Sequence, residues 1–275
     1  MMRGNLMNNI QLLSQPVMPE ITTKPVELYV FIDPLCKKAL HLMTNIRKLH
    51  LQYGHYFTSR FVLSTELSSL NAVANRLKGC CSQTELDITH PVLPSIAIKA
   101  AELQGKRAGQ RYLLKLQQYA MMNHMNLNSH ATLLKIANEI NLDLEEFASD
   151  FGSKEAAKAF QCDLYITREM EVNSVPSVVF FNECIEEEGL NVSGNYDYHV
   201  YEHILFELIG EELVSQPLPP IDQLFEHFEV LTTNDIATIY NLEKNVAERE
   251  LKKRMLQQKI ERLPCQDTDL WKIKL

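Results

Sequence analysis

One junction constrains the fold of this chain more than any other. The run 26–32, VELYVFI, stops at Asp33 and Pro34 and is followed at Cys36 by a segment of helical period. The run is rich in β-branched and aromatic residues and short enough to be a strand buried on both faces. From Cys36 onward, Ala39, Leu42, Met43, Ile46 and Leu49 recur at three- and four-residue steps, with Lys37, Lys38, Asn45 and Lys48 on the other side. That pattern predicts an amphipathic helix whose polar side faces water. After Gly54, residues 56–64, YFTSRFVLS, read as a second strand. Two strands joined by a helix are expected to lie parallel, so a βαβ unit opens the domain.

A sulfur placed at a helix start lies against unsatisfied backbone N–H groups and the positive end of the helix, and Lys37 and Lys38 add charge nearby. Such a setting favours thiolate at Cys36. Thiol–disulfide catalysis also needs a resolving cysteine three residues on, and that position is Ala39. The plain reading of Cys36 is a structural thiol; the sharper one is a redox-sensitive regulatory thiol.

Beyond residues 68–90, which read mainly as a loop, residues 92–170 are helical in pattern. Ser129 and Asp143 are candidate N-caps there, and Glu146 stands at capping-box spacing from Asp143. This is a helical subdomain inserted between strands. Strand character returns at 177–181 and near 190–194, before a helix from about 198 to 209. Residues 215–220, SQPLPP, cannot continue a helix and mark a boundary. Past it lie candidate helices near 221–229, 232–240 and 245–263 and a tail holding the only tryptophan, Trp271. The expected division is a flexible segment over 1–24, a main domain over 25–214 with its insertion at about 92–170, and a small, mainly helical module over 221–275.

A net charge of −8 repels phosphate backbones and argues against a nucleic-acid partner. In the last module, Lys252, Lys253 and Arg254 are interleaved with Glu248, Glu250 and Glu261, which leaves no strongly basic face. No run approaches the roughly 18 apolar residues of a membrane span, and the N-terminal stretch lacks a signal-type apolar run, so the cytoplasm is the expected compartment. The six cysteines are irregularly spaced and read as reduced thiols, with Cys162 and Cys184 as small core residues.

Three weaker patterns remain. His199, Glu202 and His203 match the H-x-x-E-H arrangement of some zinc peptidases, but no third ligand accompanies them, and a core-packing helix is the expected role. Cys80 and Cys81, with His90, are poorly placed to chelate one tetrahedral ion. Glu186, Glu187 and Glu188 read as a solvated turn, or as an acidic docking patch. Neither a metal nor a cofactor is expected.

Seven runs carry a family resemblance: VFIDPLCKKAL, AIKAAELQGKRAGQRYL, LDLEEF, VPSVVFFN, EEGLNVSGNYDYHVYEHILFELIG, LPPIDQLFEHF and DTDLWK. The chain resembles the SpxH (YjbH) family of ClpXP adapter proteins. The first, second and fourth runs occur across the wider DsbA-like group and bear only on fold; the fifth and the tail beyond residue 216 are more specific. The resemblance implies an α/β, thioredoxin-like (DsbA-like) domain with an inserted helical subdomain; in the last module, TTNDIATIYNL followed by AERELKKRMLQQKIERL resembles the helix pair of a winged-helix domain, so a winged-helix-like module is expected there. It implies binding of an Spx-like regulator and its delivery to the ClpXP protease in the stress response, with ClpX met indirectly through the substrate and no reaction catalysed. Val175 and Pro176 stand where such folds carry a cis proline beside the cysteine-bearing helix, a region expected to contact partner peptides by strand addition. Some relatives have Cys-x-x-Cys where this chain has CKKA, and some a His- and Cys-rich N-terminus; residues 1–24 contain neither type. The competing class is an enzyme, either a DsbA- or FrnE-like thiol oxidoreductase, disfavoured by Ala39, or a glutathione-dependent transferase or isomerase. The proline-bounded module, which such enzymes do not require, argues against both.

Overall fold

The computed structural model describes residues 24–64, 92–122, 125–182, 189–210, 212–263, 265 and 269–274. Strand β1 (Val26–Ile32) is followed by helix α1 (Lys37–Tyr53) and strand β2 (Phe57–Leu63). β2 runs parallel to β1, in register from Val26 opposite Phe57 to Ile32 opposite Leu63. Strands β3 (Ser177–Asn182) and β4 (Leu190–Ser193) complete a four-stranded sheet of order β2-β1-β3-β4, in which the β1–β3 and β3–β4 pairs are antiparallel. β1 is thus central, which is why an almost continuous apolar run serves it.

Among the described residues, five helices lie between β2 and β3: α2 (Leu93–Leu103), α3 (Lys106–Met122), α4 (His130–Glu139), α5 (Leu144–Phe151) and α6 (Lys154–Glu169). Asp143 caps α5 by accepting from the backbone N–H groups of Glu145 and Glu146, both at 3.0 Å. Ser129 precedes α4 in extended conformation but makes no side-chain cap bond. α6 turns Ala156, Phe160, Asp163 and Thr167 inward, at steps of three and four. That periodicity puts Cys162 outside: it is exposed, not the core residue its apolar neighbours suggested. Cys184, the Cys80, Cys81 and His90 group, Glu186 to Glu188 and residues 1–23 lie outside the described residues.

Besides the apolar core that the two share, one buried carboxylate ties the insertion to the sheet. Asp163 Oδ2 accepts from the backbone N–H of Leu63 at 2.8 Å and meets Lys99 Nζ at 2.6 Å. It therefore joins the end of β2, α6 and α2 at one point.

Helix α7 (Tyr198–Ile209) ends on Gly210 at φ 69°, the left-handed conformation that stops a helix cheaply only at glycine. The following module has the order α8 (Ile221–Phe228), β5 (Val230–Thr232), α9 (Thr233–Ile239), α10 (Lys244–Leu256), β6 (Ile260–Leu263) and β7 (Leu270–Ile273). Its three strands form an antiparallel sheet of order β5-β7-β6. The helix expected over 245–263 is shorter: it closes at Leu256, Gln258 adopts φ 61°, and the chain turns back as β6. Trp271, expected in a tail, lies on the central strand β7, fully buried, with its indole N–H donating to Thr233 Oγ1 at 2.9 Å. Leu224, Phe225, Leu231, Ile236 and Leu251 pack in the same cluster.

Removing one partner of a buried ion pair leaves the other charge uncompensated, at a cost of about 3–5 kcal/mol. Lys99→Met is expected to lower the unfolding free energy by about 3 kcal/mol, read by urea denaturation. A loss under about 1 kcal/mol would show that Asp163 does not need its cation.

Candidate functional site

Cys36 is the N-cap of α1. Its backbone N–H donates to Asp33 O at 3.1 Å, its side chain makes no capping bond, and it is half-buried. The tight entry is held by Asp33 Oδ1, which accepts from the Leu35 N–H at 2.9 Å. Ala39, one turn on, is completely buried against the sheet.

The Val175–Pro176 peptide bond is cis, and Pro176 O accepts from Gly194 N–H at 2.8 Å. Phe31, near the end of β1, pairs with Ser177, the first residue of β3. The loop after β1, carrying Cys36, and the segment before β3, carrying Val175 and Pro176, therefore leave the sheet at the same end. His199 and His203 do not converge on one point: His199 Nδ1 meets Glu202 at 3.2 Å, whereas His203 Nε2 meets Glu207 at 3.2 Å. Both rings are exposed, and Glu202 also accepts from Tyr53 OH at 3.1 Å. Among the described residues no group of three or more metal-ligating side chains comes together.

The side of α1 opposite the sheet is where the structure departs furthest from expectation. Asn45 and Lys48, read as solvent-facing, are each 1% exposed, and Thr44 is buried beside them. They are covered by α9 and by the residues around the start of α7. Lys48 Nζ donates to Thr238 O at 2.8 Å and to Asn241 Oδ1 at 2.5 Å, and stands 4.1 Å above the Tyr198 ring. Asn45 Nδ2 donates to Tyr196 O at 2.9 Å. Thr44 Oγ1 donates to Asp235 Oδ1, which Arg47 also meets at 3.4 Å, and the Arg47 guanidinium lies 4.9 Å over the Phe228 ring. The other oxygen of Asp235 completes a capping box with Thr232 at the start of α9. Burial lowers the pKa of Lys48 from its ordinary 10.5, with Glu202 acting in the opposite sense.

Between the start of α1, the second half of α3 and the C-terminal module lies a cleft of about 650 Å³, with Cys36, Arg47, Lys115, Gln117 and Phe228 on its walls. Cys265, between β6 and β7, donates its thiol to Met121 O of α3 at 2.9 Å. No single run of residues signals this cleft, because its walls come from three distant segments.

A thioredoxin family model matches residues 29–203. The ClpXP adapter protein SpxH of Bacillus licheniformis is 38% identical, over 90% of this chain and 89% of its own. The proteins of the same name from Bacillus subtilis and Halalkalibacterium halodurans are each 36% identical over the same shares. The chain belongs to the thioredoxin-fold SpxH family. Among solved structures, a probable DsbA oxidoreductase of Streptomyces coelicolor superposes with a TM-score of 0.51 at 14% identity, covering 72% of this chain and 94% of its own. Wolbachia pipientis alpha-DsbA1 gives 0.50 at 13% over the same shares. These two likenesses show the fold. The chain thus combines a DsbA-type sheet with a further module seated on the back of its cysteine-bearing helix.

Lys48 gives that seating a pH signature. A lysine whose folded pKa is lowered holds its charge at a cost that is fully present below the folded pKa. The cost fades as pH rises from there to the ordinary 10.5, because the native state releases its proton first. The stability of the wild-type protein relative to Lys48→Met is therefore expected to rise between neutral pH and pH 10.5, measured by denaturant titration at several pH values. A flat or falling difference would contradict this.

Proposed function

We propose that this chain is a cytoplasmic, non-catalytic adapter that binds an Spx-like regulator and brings it to ClpXP, meeting ClpX through that substrate. The observation that carries this reading is the residue behind Cys36. A dithiol enzyme of this plan must resolve its mixed disulfide with a second thiol one helical turn on, and Ala39 there is packed into the sheet core without a sulfur. Sequence identity of 36–38% over 90% of the chain to proteins named ClpXP adapter protein SpxH supports the same conclusion. Among the described residues no helix is long and apolar enough to cross a membrane.

We place the partner contact at the sheet end that carries Cys36, Val175 and Pro176. Ser174 is exposed and Val175 half-buried there, so backbone groups beside β3 are within reach of an extended segment, and pairing of that kind depends on main-chain groups and shape rather than on a thiol.

With purified ClpXP and Spx, addition of the full chain is expected to shorten the Spx half-life severalfold, followed by gel densitometry. Cys36→Ser should retain that stimulation within about twofold, since the contact is not made through sulfur. An adapter that fails to associate with Spx, or that instead turns over insulin disulfides in a Cys36-dependent manner, would overturn the reading.

A further inference from the structure

The cleft between α1, α3 and the C-terminal module has a volume, about 650 Å³, within the range of roughly 300–1,000 Å³ that small-molecule sites occupy. Two of its wall residues carry donors with no acceptor among the described residues. Gln117 is 2% exposed, and its Nε2 has no acceptor. Arg47 Nε is likewise buried and unpaired, although the rest of that guanidinium reaches Asp235 and the Phe228 ring. A buried donor left unmade costs about 1–3 kcal/mol. Two of them on one cleft describe a recess that an acceptor-rich ligand would satisfy.

The charge of the walls specifies the acceptor. Among the described residues, five lysine and arginine side chains line the cleft against three carboxylates, in a chain whose net charge is −8. Carboxylate oxygens fit both the unpaired N–H groups and the local positive excess. At one end of the same cleft stands Cys36, half-buried and without a side-chain cap bond.

We propose that the cleft binds a small, carboxylate-bearing disulfide and that Cys36 takes up half of it as a mixed disulfide. The Cys36 thiolate attacks one ligand sulfur; the new S–S bond forms as the ligand's own S–S bond breaks. The other half leaves as a thiolate and takes the proton that Cys36 lost. The ligand disulfide is the oxidant, and no other electron acceptor enters. Because Ala39 supplies no resolving thiol, the adduct persists until an external thiol removes it. This modification does not depend on the adapter reading.

The test uses the full chain and three probes: oxidised glutathione, which carries carboxylates; bis(2-hydroxyethyl) disulfide, which is neutral; and cystamine, which is cationic. Adduct formation at Cys36 is followed by intact mass and peptide mapping, and each rate is divided by that of the same disulfide with 2-mercaptoethanol. The normalised rate for oxidised glutathione should exceed the other two at least fivefold. S-methylglutathione, which cannot exchange, should slow it by competition. Gln117→Leu should lose most of the preference while melting at or above the wild-type temperature, since it deletes an unmet buried donor. Equal normalised rates, no competition by S-methylglutathione, or a folded Gln117→Leu protein with its preference intact would each overturn the proposal. The competition arm uses only wild-type protein and decides the matter even if the variant does not fold.

Discussion

The carboxylate of Asp235 belongs to two structures at once. One oxygen closes the capping box that starts α9, and the other accepts from Thr44 and pairs with Arg47 on α1. A helix start left uncapped leaves backbone donors unmet, so the group that makes α9 locally stable is the one that seats the module on α1. Lys48 completes the arrangement. It is removed from water, but two acceptors and the face of Tyr198 replace its hydration. Helix α1 therefore presents no free long face: one side builds the four-stranded sheet core and the other is the floor beneath a second domain.

This dual burial explains which parts of the architecture could be read from the chain alone. β1, α1, β2, the helical insertion and α7 announce themselves through period, because each buries one stripe or two faces against neighbours of its own domain. The polar side of α1 could not be read in the same way. Lys48 and Asn45 look like solvent contacts by residue type, and the acceptors that bury Lys48 lie about 190 residues later in the chain. β5, β6 and β7, of three to four residues, are too short for alternation to emerge. Cys162 is exposed despite its apolar neighbours for a simpler reason: neighbours say little about which face of a helix one residue occupies.

The candidate site divides similarly. Cys36 at the helix start and Ala39 where a second thiol would stand are both plain in the sequence, and the sheet register then brings the segment ending in Pro176 to the same end of the fold. What stayed hidden is the cleft behind Cys36. It exists only because α3, α1 and the module are brought together, with Cys265 bonded across to Met121. A DsbA-type scaffold without a cysteine at position 39 thereby has a cleft wall beside Cys36.

The single tryptophan has a spectroscopic consequence. Trp271 sits in the core of the last module, dry and bonded to Thr233, while every other part of the chain lacks an indole. Its fluorescence reports the packing of that module alone, whereas far-ultraviolet circular dichroism is dominated by the helices of the larger domain. Recording both through one unfolding transition separates the two halves of the molecule without labels: coincident curves mean they melt as one unit, and an early red shift of emission means the module opens first.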